Sequence, residues 1–233
     1  MNDVSFLINV KECKAILEEY NILKRENINN IRKGSYTKYS ETSRKLSQKN
    51  DYMKSYMKSM EMDDYDYLLK DGSFLQFSCD IIKDECIIRM AYYPTINMTT
   101  YESFLEEVLN MSIKECGSEF MEDYQQYIDE QEKKDITPFR YDYNSKLYKK
   151  LVHSASHLHF GNLEDVRIPT NRIIYPTAFV KLVLQYYYYD EWKKKIENDE
   201  NIYQIKDTEK KEINKKYWNQ DEKTIPFISF MPI

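Results

Sequence analysis

Phe6, Val10, Cys13, Leu17 and Tyr20 recur at steps of four and three, which places them on one stripe of an α-helix. After a break at ENINNIRKG, a second, polar helix is expected from about Thr37 toward Met62, with Tyr52, Met53, Tyr56, Met57 and Met60 as its apolar side. Methionine and tyrosine at that spacing are core residues before they are a cofactor box. The rhythm then changes to period two in GSFLQFSCDIIKDECIIRMAYYP: Leu75, Phe77 and Cys79 alternate with polar residues, and Cys86, Ile88 and Met90 follow the same beat. A four-residue loop, Ile81 to Asp84, sets Cys79 opposite Cys86, Phe77 opposite Ile88 and Leu75 opposite Met90, all on one face of a hairpin.

Farther on, Thr99 and Glu102 form a capping-box signature for a helix starting there. A polar helix is expected from about Ser118 to Lys133, and FRYDYN reads as a short strand. YPTAFVKLVLQYYYYDEWKKK reads as one long helix, with Pro176 at its first position and Lys193 to Lys195 at its carbonyl end. It is apolar nearly all round from Ala178 to Tyr189, so it belongs against the sheet. The tail IPFISFMPI suits an edge strand bounded by Pro226 and Pro232. Together these elements predict a single α+β domain over residues 1–233. It has N-terminal helices over 1–70, a mainly antiparallel sheet in 71–233, and a long C-terminal helix packed on the sheet.

Composition narrows the class. A chain of 233 residues can bury a core without covalent staples, and 4 Gly with 6 Pro exclude collagenous and low-complexity architectures. The 22 Tyr can fill core edges or line a wet groove, and an AT-rich coding sequence also favours them. The first residues, MNDVSFLINVKECK, lack the basic start and unbroken apolar run of a signal peptide, and no segment has the roughly 18 apolar residues of a membrane span. Cys13, Cys79, Cys86 and Cys116 contain no CxxC pair, so free thiols in a reducing cytoplasm, away from membranes, are expected.

Charge is uneven. Residues 24–58 carry ten Lys/Arg against three Asp/Glu, and residues 59–135 carry six against nineteen. The basic stretch is interleaved with Tyr36, Tyr39, Tyr52 and Tyr56, a pattern that can track a phosphate backbone. It can equally neutralise the acidic middle of its own chain or of a partner protein.

All three histidines fall within HSASHLHFGN: His153, His157 and His159. With SHLHF as a strand, Leu158 and Phe160 take one face and His157 and His159 the other. VRIP alternates too. A five-residue loop, Gly161 to Asp165, sets Phe160 opposite Val166, Leu158 opposite Ile168, and His159 opposite Arg167. In FRYDY, Arg140 and Asp142 share one side and Tyr141 and Tyr143 the other. Whether that strand neighbours the histidines is not readable from the sequence.

Three readings stay open. The first is an anion site for phosphate, built from His153, His157, His159, Arg167 and Arg140, because imidazole and guanidinium both donate to phosphate oxygens. His157 and His159 are the candidates for acid and base should there be catalysis. The second is a divalent metal held by His153, His157, His159 and Asp142, with Glu164 or Asp165 as substitutes for the carboxylate. An arginine opposite His159 weighs against a dication, so no cofactor is expected on the leading reading. The third is a hydrogen-bonded corner in which the imidazoles satisfy carbonyls and Ser154 or Ser156 caps a turn. Phosphate-loop, dinucleotide and GxSxG motifs are absent, as are a D…[DE]xK nuclease pattern on the hairpin and an Rx4-6H ribonuclease motif.

The succession FRYDYN, HSASHLHFGN, RIPTN and YPTAFVKLVLQYYY resembles the bacterial family known as domain of unknown function 2290. The resemblance covers roughly the C-terminal half and rests most on SHLHFG followed by RIP. It picks out Arg140, Asp142, His153, Ser156, His157, His159, Gly161, Arg167 and Pro169, with Ser154 standing where the pattern has proline. It implies no reaction or ligand, only the setting of variable bacterial loci concerned with phage defence or mobile DNA. The leading expectation is a protein that binds nucleic acid or a nucleotide. The alternatives are a non-catalytic assembly subunit docking a partner protein from its own locus, and a metal-dependent phosphodiesterase or nuclease.

Overall fold

The structure is a computed structural model, described here over residues 3–27, 52–82, 85–96, 100–135, 138–161, 166–197 and 205–230. The helical stripe at the N-terminus forms α1 (Asp3–Glu19), and Phe6, Val10, Cys13, Leu17 and Tyr20 are all buried. Of the second expected helix, α2 (Tyr52–Glu61) is described, while its expected earlier part, and with it most of the basic stretch, lies outside the described residues.

Seven strands form one antiparallel sheet in chain order: β1 (Leu23–Glu26), β2 (Tyr67–Leu69), β3 (Phe74–Ile82), β4 (Glu85–Tyr93), β5 (Phe139–Tyr143), β6 (Ser156–Phe160) and β7 (Ile168–Pro169). The β3–β4 hairpin is tighter than expected. Ile82 pairs with Glu85, and Cys79 faces Ile88, Phe77 faces Met90 and Leu75 faces Tyr92. The pairing runs on to the rungs Ile81–Cys86 and Ile82–Glu85, which a four-residue loop would forfeit. The register therefore moves by two, which leaves every side chain on its expected face. The β6–β7 register is the expected one, with Leu158 opposite Ile168.

Between β4 and β5 come α3 (Tyr101–Phe104), a π-turn (Leu105–Leu109), α4 (Ile113–Cys116) and α5 (Met121–Asp135). The cap of α3 is Thr100, whose side chain accepts from Ser103 N, one residue after the expected Thr99, which lies outside the described residues. The last long helix divides into α6 (Pro176–Tyr187) and α7 (Tyr189–Ile196). At the division, the Tyr188 hydroxyl donates to Asp71 Oδ2 at 2.8 Å and lies 2.7 Å from Ser73 Oγ, so the chain leaves helical geometry where this ring turns inward. β8 (Arg172–Ile174) and β9 (Lys210–Glu212) make a separate two-stranded sheet that the hydrophobic pattern did not announce. The tail is not a strand. Over its described residues, 225–230, it meets the end of β7 through a bridge of Thr170 with Ile228, whose N donates to the Pro169 carbonyl at 2.8 Å, and Pro226 cannot donate to a ladder.

One face of the sheet is the core. Phe77, Cys79, Ile88, Met90, Phe139, Tyr141 and Leu158 pack with α1 and α6, and Phe179 of α6 stacks on Phe139 with centroids 5.2 Å apart. On the other face a smaller cluster under α2 gathers Tyr56, Tyr65, Leu68, Phe74 and Ile96. Farther across that same face, over β4 to β6, the side chains become polar.

Candidate functional site

Antiparallel pairing puts directly opposed residues on one face, so two rungs build the polar area. Arg89 pairs with Asp142 and Asp142 with His157; in the next rung Ala91 pairs with Arg140 and Arg140 with His159. The structure thereby answers the question the sequence left open: FRYDY is the immediate neighbour of the histidine strand. Leu158 lies beneath in the core, so the alternation that buries it turns His157 and His159 to this face.

The side chains converge on the Asp142 carboxylate. Arg140 Nε donates to Oδ2 at 2.8 Å, His159 Nε2 lies 3.3 Å and His157 Nε2 4.0 Å from that oxygen, and Arg89 Nε is 4.0 Å from Oδ1. Burial alone would raise the Asp142 carboxyl; the His159 ring and the Arg140 and Arg89 guanidiniums outweigh it and hold it well below the usual carboxylate range. His157 is 2% exposed and His159 3%. Burial pushes the His157 imidazole down to about 3, so its ring is neutral near pH 7. Its Nδ1 lies 2.8 Å from the Ser154 carbonyl oxygen, which can only accept, so Nδ1 carries the proton and Nε2 turns a lone pair toward Asp142. Among the described residues neither ring nitrogen of His159 meets full hydrogen-bond geometry; its closest polar neighbour is Asp142 Oδ2, 3.3 Å from Nε2.

His153 stands beside this block, its ring edge-on to His157 with centroids 5.0 Å apart, and His157 stands likewise to His159 at 4.8 Å. Burial and then the charge of Arg167 lower the His153 imidazole. Arg167 thus acts at the His153 end, while Arg140 and Arg89 are the guanidiniums beside Asp142. Of the expected anion set, Arg140, His157 and His159 form one contiguous group, with His153 and Arg167 adjoining it. Of the expected metal set, Asp142, His157 and His159 offer ligand atoms within 4.8 Å of one another. Glu164 and Asp165 lie outside the described residues.

The hydrogen-bonded corner describes part of the segment, since His157 does satisfy a carbonyl. The serines have other work. Ser156 Oγ, under the sheet, meets Tyr141 OH at 2.8 Å, Thr170 Oγ1 at 2.7 Å and the Arg172 carbonyl at 2.9 Å. Ser154 Oγ reaches Glu222 Oε2 at 3.4 Å. Fully buried Glu222 also accepts from Tyr148 OH and Leu151 N, each at 2.9 Å, and so fastens the turn ahead of β6, where Leu151 has φ of 60°. Sequence reading missed Arg89 and Glu222. Arg89 had a usable signal in its alternation with Ile88 and Met90; Glu222 is 68 positions from Ser154 and had none.

The family model described as "Uncharacterized conserved protein (DUF2290)" matches residues 16–229. The chain belongs to this family. The match extends the similarity from the C-terminal half to nearly the whole chain, so the hairpin and the β8–β9 sheet fall wholly within the family's span, which takes in only the last turn of α1. No curated protein and no solved structure matches the chain.

Proposed function

We propose that the polar face over β4 to β6 binds a phosphate-bearing ligand, a nucleotide or a nucleic-acid backbone. The observation that carries this reading is the convergence of two guanidiniums, Arg89 and Arg140, on one carboxylate beside two buried imidazoles. The local fixed charge is positive even with neutral histidines. Among the described residues His159 also has ring nitrogens outside full hydrogen-bond geometry that a ligand oxygen can engage. The charge of Arg167, which also lowers the His153 imidazole, extends the positive field toward β7.

Binding of adenosine monophosphate and of a single-stranded oligonucleotide at about 50 mM salt tests the reading, with log affinity expected to fall linearly with log salt for the oligonucleotide. Arg140→Gln should weaken both by tenfold or more. Absence of binding at low salt, or binding indifferent to Arg140→Gln and Arg89→Gln, overturns it. The four cysteines are free, which suits a reducing cytoplasm, and family resemblance suggests a phage-defence or mobile-element system as the setting. Among the described residues no helix is long and apolar enough to cross a membrane.

One observation favours a second reading, the assembly subunit. Leu147, Leu151 and Val152, in the turn ahead of β6, are 55%, 46% and 75% exposed. Loss of capture of a protein encoded in the same locus by Val152→Glu, with nucleotide binding absent in the unaltered protein, would favour it.

A further inference from the structure

We propose that Asp142, His157 and His159 together hold one divalent transition-metal ion, and that the phosphate-bearing ligand completes its coordination; the second clause rests on the reading above. The ligand atoms come from two adjacent strands and already surround a common point. Two atoms bound to one metal at about 2.0–2.2 Å lie roughly 3 to 4 Å apart. Here His159 Nε2 and His157 Nε2 are 3.3 and 4.0 Å from Asp142 Oδ2, and the whole set falls within 4.8 Å, so closing the widest pair by about an ångström completes it.

The imidazoles are prepared for the role. His157 has its Nδ1 proton committed to the Ser154 carbonyl, which leaves the Nε2 lone pair facing carboxylate oxygen. Lone pair against anion is repulsive in a dry site, and a cation between them removes the conflict. A metal-binding histidine has this same outer-shell bond to a carbonyl. Among the described residues both nitrogens of buried His159 fall short of full hydrogen-bond geometry, Nε2 lying 3.3 Å from Asp142 Oδ2, at a cost that coordination would offset.

Two imidazoles and one carboxylate suit zinc, manganese, iron, cobalt or nickel better than magnesium or calcium, and three ligands leave positions open for ligand oxygens. Arg140 and Arg89 oppose a cation placed beside the carboxylate they contact. An arriving phosphate supplies the negative charge that reconciles the guanidiniums with the metal. Metal and phosphate should therefore bind cooperatively, each raising the other's affinity by the same factor.

The test uses the full chain stripped with chelator and dialysed, then titrated with Co²⁺ and with Zn²⁺ alone. It is followed by calorimetry and by the visible absorption of Co²⁺, which reports nitrogen ligation. One ion per chain is expected. Asp142→Asn, His157→Gln and His159→Gln should each weaken binding by more than about 100-fold, beyond the loss typical of outer-shell changes. Cys79→Ser/Cys86→Ser should leave it unchanged. Circular dichroism checks that each variant folds. Should a histidine variant unfold, the near-isosteric Asp142→Asn decides alone. No stoichiometric ion, binding that survives Asp142→Asn, or binding lost with the cysteine pair overturns the proposal.

Adenosine monophosphate should tighten Co²⁺ binding tenfold or more in the unaltered chain, and less in Arg140→Gln. Nucleotide binding to the stripped chain without any metal binding defeats the metal proposal and leaves the phosphate reading standing. Metal binding with no response to nucleotide defeats the coupling and leaves the metal site standing; the phosphate reading falls with it only where the nucleotide also fails to bind.

Discussion

The two faces of the same three strands, β4 to β6, differ in almost everything but backbone. Under α1 and α6 the face is aromatic and aliphatic, with Met90, Tyr141 and Leu158 in successive strands. One residue along each strand, the opposite face carries Arg89, Asp142 and His157. The first arrangement is insensitive to which apolar residue meets which, provided volume is kept. The second depends on particular partners, because a buried imidazole, guanidinium or carboxylate without its counterpart is costly. Stability should therefore be concentrated on one face and ligand recognition on the other.

The sharpest way to break that contrast is through the apolar face. Phe179→Ala removes the ring stacked on Phe139 and should cost about 3–5 kcal/mol in denaturant unfolding. Phosphate binding by the remaining folded protein should be nearly unchanged; a parallel loss of affinity would show that the faces are not separable. Glu222→Ala should cost about 2–4 kcal/mol, because it removes a fully buried acceptor shared by Tyr148, Leu151 and Ser154. It should also weaken binding, since the freed turn carries the Ser154 carbonyl that orients His157.

Acid provides a third probe in the metal-free chain. His157 sits near 3 when folded and near 6.5 when unfolded, so the unfolded state binds the proton first. The stability it contributes is complete above about pH 6.5 and is lost as pH falls toward 3. Asp142, lowered from its ordinary value, adds a loss only below about pH 4. Urea midpoints measured between pH 7 and 4.5 should fall in the unaltered chain and fall less in His157→Gln. Equal slopes would contradict a neutral, buried His157. A smaller stability effect is expected for Arg140→Gln, about 1–2 kcal/mol, because the pair is partly exposed and Arg89 stays beside the carboxylate, while ligand affinity drops tenfold or more. A stability loss as large as that of Phe179→Ala would recast Arg140 as structural.

Much of this contrast was legible before folding was considered. Period-two alternation told Leu158 from His157 and His159, and Tyr141 from Arg140 and Asp142, and it survived even where the hairpin register was two residues off. Matching apolar sides also set the β6–β7 register. Long-range neighbours were not legible. Arg89 joins Asp142 only because β4 lies beside β5, after three helices and a π-turn intervene, and Glu222 reaches the histidine segment across most of the C-terminal part. The division of the last helix at Tyr188 and the β8–β9 pair likewise depend on partners distant in sequence.

By itself the chain's pattern determined the α+β class, the faces of each strand and the residues that carry chemistry, because these follow from local periodicity and residue type. Tertiary structure alone decided which charges meet. It brought β5 against β6, made Asp142 the centre of the cluster and placed Arg140 and Arg89 beside it. Electrostatic interactions fall off with distance and depend on burial, and neither quantity exists until the strands have chosen their neighbours.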